Sequence, residues 1–139
     1  MTQTNNEIGR AWTLYVLGQL SDTWPRRVDF NAEDLVERTE LGSDLEEDEA
    51  NEMFDDLFRW LQSERFIAFN QAGEGWVVDV ALTTKAMDAI GHAIPTDNGA
   101  AGTRLKKIVG GAGSTAGQAI ISETIGQIIG AAARSFNGV

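Results

Sequence analysis

Residues 66–86, FIAFNQAGEGWVVDVALTTKA, contain the pattern that decides the fold. Two apolar stretches, 66–69 and 76–82, flank a polar segment with two glycines, and this arrangement predicts a β-hairpin. Directly after the second stretch, Thr83 or Thr84 is placed to cap a helix. The segment therefore predicts a strand, a turn, a strand and a helix in immediate succession.

A strongly amphipathic helix is predicted just before this hairpin. Its apolar residues recur at the spacing of one helix face, and they are Ala50, Met53, Phe54, Leu57, Phe58 and Leu61. Ser43 and Glu46 have the spacing of a capping box, which predicts that the helix begins directly after Ser43. Acidic residues crowd its first turns, where they interact favourably with the positive end of the helix dipole.

Shorter elements are predicted upstream of Ser43. They are a helix over 7–20 with Asn5 or Asn6 as N-cap, a strand over 27–30, and a helix over 32–38 capped by Asn31. The order of elements is then helix, strand, helix, helix, hairpin and helix. The predicted fold class is mainly α with a small β-hairpin.

The residues that leave the hairpin carry a resemblance to a known family. Leu82-Thr83-Thr84-Lys85-Ala86 is similar to the Leu-Thr-x-Lys-Gly stretch of many winged-helix regulators, with Ala86 where glycine is usual. With the hairpin and the element order, residues 7–94 resemble the winged-helix superfamily. The resemblance implies a winged-helix-like core of three helices with a two-stranded wing. It also implies DNA binding, with the third helix in the major groove and the wing near the backbone.

The charge distribution argues against that DNA-binding role. The 139 residues include 11 Lys/Arg and 21 Asp/Glu, for a net charge of −10. Residues 1–98 carry −13 and residues 99–139 carry +3. The predicted third helix, 44–65, has two basic residues, Arg59 and Arg65, and the wing has none. Because phosphate neutralisation supplies most non-specific DNA affinity, we expect a basic protein partner rather than nucleic acid.

An acidic face on the third helix is the main candidate for binding that partner. It comprises Asp44, Glu46, Glu47, Asp48, Glu49, Glu52, Asp55 and Asp56. The alternative is a solvated helix face that stabilises its own dipole. Trp60 lies off the apolar stripe and is a candidate aromatic anchor, with packing at the edge of the core as the alternative. Of the other tryptophans, Trp12 and Trp76 are expected to be packed, and Trp24 partly exposed.

The last forty residues differ in composition from the rest. We expect residues 1–98 to form the acidic winged-helix-like domain and residues 99–139 to form a linker and an Ile/Ala/Gly-rich helix. Glycines at 110, 111 and 113 predict a break before that helix. Thr115 and Gln118 have the spacing of a capping box at its start.

An apolar stripe on this C-terminal helix is too long to be left exposed. It includes Ile121, Ile125, Ile128, Ile129 and Phe136. The stripe is expected to cover the winged-helix core, a second copy of the chain or a partner, and self-association into a homodimer is the favoured interpretation. Lys106 and Lys107 are candidates to pair with the acidic helix of a neighbour.

No constellation in the sequence predicts catalysis, a cofactor or a metal site. There are no cysteines and a single histidine, His92, which excludes thiolate chemistry and a histidine-rich metal site within one chain. The glycine-rich segment 110–117 lacks the Gly-Lys-Ser/Thr ending of a phosphate-binding loop. Residues 108–133 contain seven polar residues and no leucine, so membrane insertion is not expected. The prediction is a non-enzymatic, cytoplasmic protein.

The sequence favours a protein-binding module. The specific hypothesis is a small bacterial immunity protein or antitoxin whose acidic face inhibits a basic toxin, such as a nuclease, through charge complementarity. The alternative is a winged-helix DNA-binding transcriptional regulator that dimerises through its C-terminal helix. A third hypothesis is a lipid-associated accessory protein that uses residues 103–136.

Overall fold

The computed structural model describes residues 4–94 and 101–137, with residues 135–137 described by their backbone alone. The elements in this part are α1 (Asn5–Thr23), β1 (Val28–Asn31), α2 (Ala32–Thr39), α3 (Glu47–Ser63), β2 (Ile67–Ala68), β3 (Gln71–Gly73), β4 (Trp76–Leu82), α4 (Thr84–Ala93), α5 (Ala101–Val109) and α6 (Thr115–Asn137). The predicted class, mainly α with a small antiparallel sheet, is confirmed. Residues 95–100, which include the predicted boundary between residues 1–98 and 99–139, lie outside the described residues.

Strand β4 is the centre of the sheet. β1 pairs with one side of it, β2 and β3 pair with the other side, and all pairings are antiparallel. The predicted strand over 76–82 is confirmed, whereas the stretch predicted as one strand over 66–69 forms only β2, and β3 is a separate strand. The break has a physical cause in β4, because Asp79 has a positive φ of 54° and kinks the strand between the two pairings.

Helix α1 begins with a capping box, and its N-cap is Thr4 rather than the predicted Asn5 or Asn6. Thr4 Oγ1 accepts a hydrogen bond from the Glu7 N–H at 3.1 Å, and Glu7 Oε1 accepts from the Thr4 N–H at 2.9 Å. The hydrogen bonds from the Thr4 backbone and side chain lower the pKa of the Glu7 carboxyl. The helix continues to Thr23, three residues beyond the predicted end.

Helix α1 is buried on nearly every side, which a single apolar stripe would not achieve. Trp12 is fully buried, and its indole N–H donates to the Leu41 carbonyl oxygen at 3.2 Å. The polar or small positions Thr13 and Gly18 are buried as well. Extra coverage comes from α5 and α6, which both pack on α1. The C-terminal segment therefore shares one hydrophobic core with residues 4–94.

The contact between α1 and α5 depends on two glycines. A Cβ at Gly18 would lie 2.9 Å from the Gly102 carbonyl oxygen, and a Cβ at Gly102 would lie 2.5 Å from the Gly18 carbonyl oxygen. Beside this crossing, Lys106 Nζ lies 2.6 Å from Asp22 Oδ2 and donates to Gln19 Oε1 at 3.1 Å. The expectation that Lys106 pairs with a neighbouring chain is corrected, since its acidic partner lies in its own α1.

Helix α6 packs along α4 and also contacts α1. Ile121, Ile125 and Ile128 are buried by this packing, whereas Ile129 is 41% exposed. Arg10 on α1 donates to Ser122 Oγ at 2.9 Å and ties the two helices together. Most of the stripe assigned to self-association therefore covers the chain's own core. The side chain of Phe136 lies outside the described residues.

The start of helix α3 is displaced from its predicted position. Helix α3 begins at Glu47 rather than directly after Ser43, because the Leu45 N–H donates to the Gly42 carbonyl oxygen and closes a turn first. Gly42 has a positive φ of 94°, which suits that turn. The capping box of α3 uses Glu46 with Glu49, so Ser43 and Asp44 precede the helix.

The glycine-rich break before α6 is confirmed as a turn over residues 110–114. The cap of α6 is Ser114 rather than Thr115, since Ser114 Oγ accepts from the Gly117 N–H at 2.9 Å. The Gln118 side chain does not complete a capping box; its Nε2 donates to the Ala112 carbonyl oxygen at 2.6 Å. Helix α5 was not predicted, because its nine residues are too few for a clear periodic pattern and they follow a segment that is typical of a linker.

Replacing Gly102 with alanine should lower the free energy of unfolding by about 1–3 kcal/mol, because the added methyl group pushes the α1 backbone away. The matched control is Gly91→Ala on α4, where an added Cβ meets nothing within 4 Å. That change should raise stability by about 0.5–1 kcal/mol, because alanine is the better helix former. Urea unfolding of the full chain measures both values. Equal effects of the two substitutions would contradict the close α1–α5 crossing.

Candidate partner-binding surfaces

The predicted acidic residues surround the first half of α3 instead of forming one flat face. Asp44 lies in the preceding turn, and Glu46 is the N-cap. Glu49, Glu52 and Asp56 line a shallow hollow toward the start of α1, while Glu47 and Asp55 face two other depressions. All eight carboxylates are exposed except Asp55, which is half-buried. The structure therefore spreads this charge over three sides of one helix end.

Asp55 differs from the neighbouring acidic residues in that its hydrogen-bond partner lies in another element of the fold. Its Oδ1 accepts a hydrogen bond from the Gly75 N–H at 2.8 Å, and Gly75 is buried at the turn between β3 and β4. The Gly75 carbonyl oxygen in turn accepts from the Ala32 N–H at 2.9 Å. Gly75 thus ties the turn to α3 and to α2 at once. Asp56, by contrast, pairs with Arg59 at 3.5 Å on the exposed face of the helix.

A concave surface lies where these three elements meet, and we call it the α2–α3 groove. Its volume is about 700 Å³. The lining residues are Asn31, Ala32, Glu33, Val36, Glu37, Gly42, Ser43, Leu45, Glu47, Ala50, Asn51, Glu74, Gly75 and Trp76. Four of them are glutamates, and none is lysine or arginine. The groove therefore combines an apolar floor with a strongly negative rim.

Trp76 forms part of this groove, and the prediction that it would be packed is wrong. The side chain is 41% exposed, although Trp76 begins the central strand and pairs with both Asn31 and Gly73. A Cβ on Gly73 would overlap the Trp76 indole, so the indole lies directly over this glycine. Val77 and Val80 are in the core instead; they are three residues apart, so the irregular backbone at Asp79 interrupts the alternation of β4 between them.

The groove adds glutamates that the sequence analysis did not single out. Glu33 and Glu37 are one helical turn apart on the exposed side of α2, and Glu74 is in the β3–β4 turn. Among the described residues, these side chains and Glu47 make no side-chain hydrogen bond or ion pair. The spacing of Glu33 and Glu37 was a detectable signal, but only the fold shows that they face Glu47.

A second candidate surface is apolar and lies between α3 and α6. Trp60 is 40% exposed and lies beside Ile129 and the buried Phe66. The Trp60 and Phe66 ring centroids are 6.3 Å apart. The crevice between them has a volume of only about 10 Å³, so it is nearly filled. This surface offers a small flat contact rather than a pocket.

Metal-binding side-chain groups and membrane-spanning helices are absent from the part of the chain that the structure describes. Within 4–94 and 101–134, no group of three or more His, Cys, Asp and Glu side chains is placed to hold a metal ion. In the same part of the chain, no helix combines the length and apolarity needed to cross a bilayer. Comparisons with protein families, curated proteins and solved structures found no match.

Replacing Asp55 with alanine should lower the free energy of unfolding by about 1–3 kcal/mol, because the buried Gly75 N–H loses its acceptor. Asp55→Asn should restore most of that loss, since its amide oxygen still accepts. Asp56→Ala is the matched control one residue away, and it should change stability by less than about 0.5 kcal/mol. Urea unfolding distinguishes them, and a harmless Asp55→Ala would contradict the structural role assigned to this carboxylate.

Proposed function

We propose that the protein is a non-enzymatic binding module with a winged-helix-like core, and that its acidic surface captures a basic protein. The specific form of the proposal is a bacterial immunity protein or antitoxin that neutralises a basic toxin such as a nuclease. The observation that carries it is the α2–α3 groove, whose lining residues include four glutamates and no lysine or arginine, together with the carboxylates around α3. A cytoplasmic location for this complex remains a prediction.

The order and pairing of elements support the winged-helix part of the proposal. Helix α1 is followed by β1, then by α2 and α3, then by the strands that pair with β4. β1 joins the opposite edge of β4, so the hairpin becomes a small sheet rather than an isolated ribbon. Thr83 caps α4 by accepting from the Ala86 N–H at 3.1 Å, at the stretch that resembles the family motif. α5 and α6 extend this core.

Electrostatics support a protein partner of positive charge. Carboxylates lie on both convex and concave surfaces around α3. Their negative potential would speed the encounter with a basic protein and would orient that protein. Arg59 is the basic residue of α3, and it is already paired with Asp56. The strand segment from Ile67 to Leu82 contains no lysine or arginine. A polyanion would meet repulsion on the same surface.

Self-association through α6 is a separate proposal, and the fold leaves only a small part of the predicted apolar stripe exposed for it. Ile121, Ile125 and Ile128 are buried within the chain, so a second copy would have to contact exposed residues such as Ile129. Ile120 is exposed too, but it lies nine positions from Ile129 and therefore on the opposite side of α6. Trp60 is adjacent to Ile129 and would belong to the same contact. This small apolar surface is distinct from the acidic groove.

The test of the basic-partner proposal uses purified basic nuclease domains and the full chain. We expect complex formation that weakens steadily between about 50 and 500 mM NaCl, with inhibition of the nuclease. Asp48→Asn with Glu52→Gln should raise Kd by about tenfold, because two exposed charges near the interface are lost. Asp88→Asn with Glu123→Gln makes the same charge change on α4 and α6 and should leave Kd nearly unchanged. A Kd that does not change with salt, or no binding to any of the nuclease domains, would contradict the proposal.

The second candidate function is a DNA-binding regulator, which the order of elements favours. If the chain is such a regulator, it should bind duplex DNA and retard it in a gel-shift assay at about 50 mM salt, because low salt strengthens binding to phosphates. We expect no retardation, because the helix and hairpin that would face DNA carry a net negative charge. Retardation that disappears on replacing Arg59 with glutamine would instead support the regulator.

A further inference from the structure

We propose that the α2–α3 groove is the seat for an extended, arginine-containing segment of the partner, with a guanidinium stacked on the Trp76 indole and held by the groove glutamates. This inference rests on the proposed capture of a basic protein and names where the contact is made and by which chemistry. The groove, and not the acidic helix as a whole, is the specific site.

The first support is the composition of the groove. Its rim contains Glu33, Glu37, Glu47 and Glu74, and its lining includes no basic residue. Among the described residues none of these carboxylates has an ion-pair partner. Like charges around a concave, partly apolar surface focus a negative potential, which favours a cationic occupant. The floor, formed by Ala32, Val36, Leu45 and Ala50, suits the methylene stem of a long basic side chain.

The second support is the exposed aromatic ring, which distinguishes arginine from lysine. The Trp76 indole is 41% exposed at the edge of the groove, and its position is set by the strand pairing and by Gly73 beneath it. A guanidinium is planar, stacks on an aromatic face and donates in a fork to carboxylates. An ammonium group is compact and more strongly hydrated, so it gains less from the same surface.

The third support is the rigidity of the groove walls. The Gly75 carbonyl oxygen accepts from the Ala32 N–H at 2.9 Å, and the Gly75 N–H donates to Asp55 at 2.8 Å. These two hydrogen bonds link the β3–β4 turn to α2 and to α3. The Asn51 side chain fills the space where a Cβ on Gly75 would lie. A site whose walls are already ordered loses little conformational entropy when an extended segment binds.

The occupant is a partner segment rather than a second copy of this chain. Another copy has a net charge of −10, so bringing it against a rim of four glutamates would add repulsion. A segment with arginines separated by small residues meets both the charge and the shape of the groove. The groove volume of about 700 Å³ is within the range of sites that enclose a short ligand segment.

The test titrates the full chain with the peptide acetyl-Gly-Arg-Gly-Arg-Gly-amide in low salt and follows the tryptophan indole N–H signals by NMR. We expect the Trp76 signal to shift most, while the signals of Trp60 and Trp24 stay nearly fixed. The same peptide with lysine in place of arginine should bind about two- to fivefold more weakly, the factor expected for an exposed cation–π contact. Equal affinities for the two peptides would overturn the assigned role of Trp76.

Matched variants separate the groove from the acidic surface in general. Glu33→Gln with Glu74→Gln should weaken peptide binding several-fold more than Asp48→Asn with Glu52→Gln, which removes the same charge outside the groove. Trp76→Leu should weaken it about two- to fivefold, and Trp60→Leu, an equally exposed ring, should not. The NMR spectrum of each variant without peptide reports whether it is folded.

Each contrary outcome identifies what has failed. If the groove pair and the outer pair weaken binding equally, the groove is not the seat, while the proposed capture of a basic protein survives. If neither peptide nor basic nuclease binds at low salt, both proposals fail. If the Trp76 signal shifts with protein concentration in the absence of peptide, the groove belongs to a second copy and the inference is overturned.

Discussion

The burial of α1 is the constraint on which the rest of the structure depends. Trp12 and Leu14 point to different sides of this helix, and each is completely removed from water. No single partner helix can cover so many sides, so α2, α3, α5 and α6 are all held around it. The small residues at the crossing of α1 and α5 let the fifth helix approach closely enough to complete the cover. The C-terminal helices are therefore part of the core and not an appendage.

This packing changes the meaning of the C-terminal sequence. An Ile/Ala stripe on an otherwise weakly polar helix is the pattern of a surface that another protein covers. Here the cover is α4 and α1 of the same chain, and the exposed remainder is limited to residues such as Ile120 and Ile129. Because the stripe is already used for folding, the acidic surface around the α2–α3 groove becomes the stronger candidate for recognition.

That recognition surface is built from elements distant in sequence. Asn31 is the last residue of β1 and precedes α2. Glu74 lies in the β3–β4 turn, Trp76 is the first residue of β4, and Glu47 is the first residue of α3. Gly75 joins them through two backbone hydrogen bonds, one given to Asp55 and one received from Ala32. A rim of carboxylates that have no ion-pair partner among the described residues costs stability through mutual repulsion, which a cationic partner would relieve. The same residues thus connect the folding of the hairpin to the chemistry of the groove.

The sequence by itself determined the order of the first elements, the hairpin before α4, the amphipathic face of α3, the glycine break before α6 and the excess of acid in residues 1–98. These properties are local: periodicity, caps and turn residues act over a few positions along the chain. Helix α5, the exposure of Trp76 and the grouping of Glu33, Glu37, Glu47 and Glu74 were decided only by the tertiary structure. Each of them depends on which surfaces meet across the fold, and a single sequence contains no direct measure of distance between residues that are far apart along the chain.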